Sequence, residues 1–188
     1  MAEIAEAVKN TAADLEAEPV LRFAEFATSL LSWAIMSAAR RGGYDGVYEY
    51  DNYTPLTFLM AMGILQCLFV VGVGAAQRAQ VLEAPLLDKV ELFGSLGCCA
   101  GAALGFVAGA AASTVLHDEF GGSSLCAPQG GGKNQKDKAA YFCGRVDASV
   151  AFAFFAAVAA VASTYLVLKQ RGLHGGFRPE SDPDDVAP

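Results

Sequence analysis

The sequence predicts an all-α protein, a four-helix transmembrane bundle whose consecutive helices run antiparallel. Three observations carry this reading. Four long apolar runs, Val20–Ala39, Pro55–Ala76, Val90–Leu116 and Val146–Leu168, alternate with polar segments. Each is near the roughly twenty residues a helix needs to cross a hydrocarbon core about 30 Å thick. Apolar residues make up 54% of the 188, and a soluble domain of this size would need polar faces that these runs lack. The alternating segments of about ten residues that mark a membrane β-barrel do not occur in the sequence.

The elements follow in order. Residues 1–19 form an acidic segment in which Glu3, Glu6, Asp14, Glu16 and Glu18 outweigh Lys9. That charge is the opposite of a signal peptide's basic start and of an Arg-rich transit peptide, so the first span is expected to act as its own insertion signal. Spans then run over about 20–39, 55–76, 90–116 and 146–168, within a bundle over 20–170, and an acidic tail occupies 171–188. The connections Arg40–Thr54 and Gln77–Lys89 are short and His117–Phe142 is longer, which favours antiparallel neighbours in one bundle. Gln66, in the middle of the second span, is expected to make an interhelical hydrogen bond.

Basic residues divide almost evenly between the two sides and give no orientation. The cysteines are more informative. Cys67, Cys98 and Cys99 fall within spans, where a thiol acts as a small apolar side chain. Cys126 and Cys143 lie outside the apolar interior, in the third connection. A bond between them stabilises the fold by about 3 kcal/mol in the chain-entropy model and persists only in an oxidising compartment. The expectation is therefore a Cys126–Cys143 disulfide, first and third connections outside, and both termini cytosolic. Two unrelated thiols in a reducing compartment are the alternative.

The third span carries Gly97, Gly101, Gly105 and Gly109, one glycine every four residues, continued by Ser113. Residues four apart share a helix face, so the row makes a groove where another backbone can approach closely. A neighbouring helix of the same bundle or a second subunit would fill it. Arg22 opens the first span and Asp88 precedes the third, so an antiparallel bundle brings both to the cytosolic boundary as a charge pair. The remaining ionisable groups are read as boundary ion pairs and side chains reaching the headgroups.

The sequence contains no H-E-x-x-H, P-loop, G-x-S-x-G or zinc pattern, and His117 and His174 have no ligand-spaced partners. Catalytic residues, a metal and a cofactor are therefore not expected, and the protein is read as no enzyme. The middles of spans three and four hold no carboxylate or histidine to make an ion path. A net charge of −7 offers nucleic acid nothing to hold.

Several stretches resemble one family. Residues 141–155, an aromatic–Cys pair followed by Arg145 and a Ser-Val stretch, resemble the fourth-span entry of Casparian strip membrane protein-like (CASP-like) proteins. Leu21-Arg22-Phe23 is similar to their first-span entry and Leu87-Asp88-Lys89-Val90 to their third. The likeness covers about residues 20–170 and implies a four-helix fold related to MARVEL-domain proteins, with cytosolic termini. It also implies Arg22 and Asp88 as bundle-stabilising charges, Cys126 and Cys143 as a loop disulfide, and self-association in the plasma membrane. The first connection lacks the signature of the barrier-forming members, and the third lacks a tryptophan before Cys126.

The function expected is that of a non-enzymatic integral membrane scaffold. Its partners would be the lipid bilayer, further copies of itself as a homo-oligomer, or other membrane proteins. The alternative is a small accessory subunit of a larger energy-converting or pigment-bearing membrane complex.

Overall fold

The structure, a computed structural model, describes residues 2–39, 49–79, 84–118, 124–126 and 133–170. Four α-helices account for nearly all of these: α1 (Ala2–Ser37), α2 (Thr54–Ala79), α3 (Ala84–His117) and α4 (Lys133–Gln170). A short 3-10 turn, Tyr50–Asn52, leads into α2. The first connection's Arg40 and Arg41, the Gly130–Gly132 patch, His174 and the 171–188 tail lie outside the described residues.

Consecutive helices are antiparallel, as residue pairs along each interface demonstrate. Between α1 and α4, Glu25 meets Ser163 and, two turns on, Ser32 meets Ser149. Between α1 and α2, Glu25 meets Gln66 while Trp33 packs beside Gly63. Between α2 and α3, Phe69 lies at Gly94 and Leu59 at Gly109. Ser95 meets Thr164, and Ser113 meets Asp147, which orients α3 against α4. The helices therefore form a ring in chain order, closed by α1 against α4, with little direct contact between α2 and α4 across it.

The bundle's interior changes along its axis. At the end bearing the first and third connections it is built from large apolar side chains, Met36, Leu56, Leu59, Leu116, Phe142 and Val146. Its waist is narrow, with Ala102, Ala157 and Ala160 in contact and Cys99 beside them. Toward the termini it becomes polar. Many outward side chains are large and apolar, among them Phe23, Leu68, Phe93, Leu104 and Val161, as a surface facing hydrocarbon requires.

Three stretches, Thr54–Ala79, Lys89–His117 and Lys133–Lys169, are long and apolar enough to cross a membrane by composition alone. α1 is absent from that set among the described residues, because Arg22, Glu25 and a scatter of Ser and Thr dilute its apolar content. Glu25, Ser29 and Ser32 point inward, where composition cannot register their surroundings.

Three expectations need correction. The second connection is shorter than Gln77–Lys89, since α2 continues to Ala79 and α3 already begins at Ala84. The third connection is shorter than His117–Phe142, since α4 already begins at Lys133 and Cys143 sits within the helix. Its first turns, Lys133–Lys138, are polar and largely exposed, so hydropathy reads them as loop although nothing in them opposes a helix. The last correction concerns Glu25, one of the remaining ionisable groups read as boundary ion pairs, which is 1% exposed in the interior.

Candidate functional site

All four helices contribute to one polar hub at the end of the bundle nearer the termini. α1 supplies Arg22 and Glu25, α2 Gln66, α3 Glu91 and Ser95, and α4 Ser163 and Thr164. A carboxylate in this position is tolerable only when other groups replace its water. Gln66 Nε2 donates to Glu25 Oε1 at 3.0 Å. Ser163 Oγ lies 3.0 Å from Glu25 Oε2 and 3.1 Å from the Ala160 carbonyl, so its single proton serves both acceptors by turns. Arg22, one turn before Glu25 on α1, places Nη1 3.5 Å from the same Oε2.

The other nitrogen of Arg22 reaches across to α3. Nη2 donates to Ser95 Oγ at 2.8 Å and lies 3.6 Å from Glu91 Oε1. The guanidinium also stands over the Phe69 ring of α2, 5.9 Å from its centroid. Thr164 Oγ1 donates to the Ser95 carbonyl at 3.2 Å and closes the circuit from α3 to α4. One arginine thus touches three helices, and its planar donor fork suits it to this. Asp88 lies in α3 one turn before Glu91, but its side chain is outside the described residues. The acidic partner of Arg22 seen on α3 is Glu91.

A second polar layer lies nearer the middle of the bundle. Ser149 Oγ donates to the Ser32 carbonyl at 2.8 Å, and Ser32 Oγ lies 3.0 Å from the Ser149 carbonyl. This reciprocal clasp joins α1 to α4. Ser29, one turn from both Glu25 and Ser32, is 1% exposed and its hydroxyl has no protein partner. It lines an internal void of about 10 Å³ shared with Gln66, Met62 and Gly105, close to the space that one water occupies.

The four glycines of α3 do not behave alike. A Cβ on Gly101 would stand 3.0 Å from the Met62 sulfur, and one on Gly105 3.2 Å from Met62 Cβ. At Gly109 it would meet both Leu59 of α2, at 2.7 Å, and Val150 of α4, at 3.1 Å. Gly97 stands apart, for it is exposed and a Cβ there meets nothing within 4 Å. Helix geometry accounts for the difference. At about 100° per residue, each four-residue step turns the row by about 40°, so three steps carry it about 120° round the helix. Gly94 takes the place expected of Gly97, being only about 20° from Gly101 by the same count, and a Cβ on it would overlap the Phe69 ring. The usable signal was the spacing of seven from Gly94 to Gly101. The groove's main occupant is α2, a neighbouring helix of the same bundle.

At the opposite end, Cys126 and Cys143 form a disulfide with Cα atoms 5.8 Å apart. It ties the third connection to α4, where Cys143 is buried beside Phe142 and Val146. Asp147 accepts from Ser113 Oγ at 2.7 Å and lies 3.5 Å from His117 Nε2, which joins α3 to α4 at that level. Arg145 stands over the Tyr141 ring at 4.3 Å. Among the described residues no cluster of His, Cys, Asp or Glu could hold a metal ion.

Comparison with known proteins gives this architecture its context. Residues 16–166 match the MARVEL family, described as a membrane-associating domain. Two curated proteins of Physcomitrium patens are similar to the chain. CASP-like protein UU4 is 26% identical over 155 residues, covering 78% of this chain and 65% of its own length. CASP-like protein UU5 is 28% identical over 155 residues, covering 78% of this chain and 66% of its own length. The chain thus spans just under two thirds of the length of these relatives. No solved structure matches. With the family match extending over most of the four helices, the chain belongs to the MARVEL family of membrane-associating domains, and CASP-like proteins are among its relatives.

Proposed function

We propose that this protein is a non-enzymatic scaffold of the plasma membrane, crossing it four times, with both termini in the cytosol and acting through lateral contacts with its own copies and other membrane proteins. The observation that carries this reading is the direction of its polar groups. The buried side chains of the hub bind one another across four helices, with the void at Ser29 too small for more than about one water. A space of that size is too small for an aqueous path at this level of the bundle. What the described helices mostly offer their surroundings is an apolar face.

That face includes a shallow groove of about 270 Å³ between α3 and α4, lined by Phe106, Val107, Phe154, Val158 and Val161. Such a surface supports lateral packing, since association in lipid depends on close side-chain fit rather than on escape from water. The disulfide supports the orientation, because an oxidised Cys126–Cys143 pair belongs outside a reducing cytosol.

The test is single-molecule photobleaching of labelled protein in lipid vesicles across a range of protein-to-lipid ratios. A scaffold gives clusters that grow with density and that Phe154→Ala with Val158→Ala reduces. A monomer at all densities overturns self-association. A stable one-to-one assembly with a different membrane protein would favour the accessory-subunit reading.

A further inference from the structure

Beside the hub, α1, α2 and α3 enclose a cleft of about 510 Å³ that opens outward at the termini end of the bundle, within the size range of small-molecule sites. Its inner wall is apolar and aromatic, with Phe23, Phe26, Phe69 and Val73. Its rim is charged and mixed in sign: Arg22 and Arg78 on one hand, Glu18 and Glu91 on the other, with Gln77 between. Gly74 forms part of the wall, and a Cβ on it would meet nothing within 4 Å. Arg22 is held in place by Ser95 and Glu91, whereas Arg78 is exposed and has no ion-pair partner among the described residues.

We infer that this cleft binds one zwitterionic phospholipid, with the phosphate toward Arg78 and Arg22, the ammonium toward Glu18 and Glu91, and an acyl chain along the phenylalanines. Three features favour this occupant. The cleft lies where α2 ends in Arg78 and α1 leaves its apolar stretch, the depth of a headgroup in a bundle of this length. Its rim sets Arg78 beside Glu18 and the Arg22–Glu91 pair, with Gln77 donating to Glu91 at 3.5 Å, and this mixed charge complements a paired phosphate and ammonium better than a lone anion. Its aromatic wall can line an acyl chain, and the face of a phenylalanine ring attracts a quaternary ammonium. A sterol, with a single hydroxyl, would leave most of the charged rim unmatched.

The experiment uses the full chain in nanodiscs of dioleoyl phosphatidylcholine, transferred to mild detergent and analysed by native mass spectrometry. The expected result is one phosphatidylcholine retained per chain. Gly74→Leu, whose Cβ meets nothing within 4 Å and whose side chain would take up space in the cleft, and Arg78→Ala are each expected to lower retention about tenfold, a change of 1.4 kcal/mol. The thermal midpoint of both variants should stay near that of the parent in lipid-free detergent, which separates loss of binding from loss of fold. Competition from mixed nanodiscs containing phosphatidylglycerol and a sterol should leave phosphatidylcholine the retained species. No specific retention, equal retention by Gly74→Leu, or preference for the sterol or the anionic lipid would each overturn the assignment.

Discussion

Gln66 of α2 donates a hydrogen bond to the Glu25 carboxylate of α1 across 3.0 Å, with both side chains almost fully shielded from the surroundings. The mid-span glutamine thus makes the interhelical bond expected of it, and it does so to a charge. A hydrogen bond to a charged acceptor contributes more than a neutral one, and removing a buried ion's partners leaves its desolvation uncompensated. Gln66→Leu is expected to cost about 1.5 kcal/mol of stability in detergent. Glu25→Ala is expected to cost about 3 kcal/mol, since it removes the acceptor of Gln66, one of the two acceptors of Ser163 and the nearer acidic partner of Arg22. Unfolding in mixed micelles measures both. A Gln66 variant as damaging as the Glu25 variant would mean that Arg22 and Ser163 contribute little to holding the carboxylate.

The serines separate into those with partners and one without. Ser149→Ala removes the clasp to Ser32 and is expected to lower stability by about 1 kcal/mol. Ser29→Ala deletes a buried hydroxyl that has no protein partner, and stability should hold or rise slightly. The same micelle titration reads both. A loss at Ser29 as large as that at Ser149 would place a tightly bound water in the void beside it.

The glycines of α3 offer a test within one helix. Gly105→Leu should force α2 away, because even a Cβ would press on Met62. Gly97→Leu should be tolerated, since its face is open. Overpacking typically costs about 1–3 kcal/mol, which a thermal melt in detergent resolves. If the two variants lose stability equally, Gly97 faces a partner in solution, and a second copy becomes the natural one to look for.

Reduction supplies a fourth test. The disulfide closes a loop with a sequence separation of 17, and losing it is expected to cost about 3 kcal/mol. Cys126→Ser should lower the melting temperature of the parent and leave it insensitive to dithiothreitol. Peptide mapping under non-reducing conditions should find Cys126 and Cys143 joined. Both recovered as free thiols would remove the bond and with it the main support for the orientation.

Much of the fold was legible because membrane solubility acts on whole segments. A run of apolar residues long enough to cross announces itself, and α2 and the end of α3 follow from theirs closely, while α3 begins at Ala84, ahead of Val90. The early start of α4 was not legible, because a solvated helical extension such as Lys133–Lys138 carries no hydropathy signal. Arg22 stood out as a charge opening a span, but nothing in the sequence says which acidic group it meets. Glu91 is one turn from Asp88 on the same helix, and only the rotation of α3 selects between neighbours. The hub was hidden for a related reason. Ser95, Ser163 and Thr164 are ordinary residues of spans, and they acquire meaning only when three other helices bring Glu25 and Arg22 to them. The glycine row was visible, yet an exact period of four drifts around a helix, so one of its four members left the interface and Gly94 entered it.

The most direct test of a four-span bundle is the sidedness of its ends, because α1 is the helix whose apolar content alone does not establish a crossing. Cys67, Cys98 and Cys99 are replaced by alanine, and single cysteines are introduced in turn by Asn10→Cys, Gln129→Cys and Ser181→Cys. Intact and permeabilised cells are then treated with a membrane-impermeant maleimide. Four crossings with cytosolic termini predict that position 129 reacts in intact cells and that positions 10 and 181 react only after permeabilisation. Labelling of positions 10 and 181 from opposite sides would mean an odd number of crossings, and it would contradict the bundle in which Glu25 and Arg22 are held within the membrane.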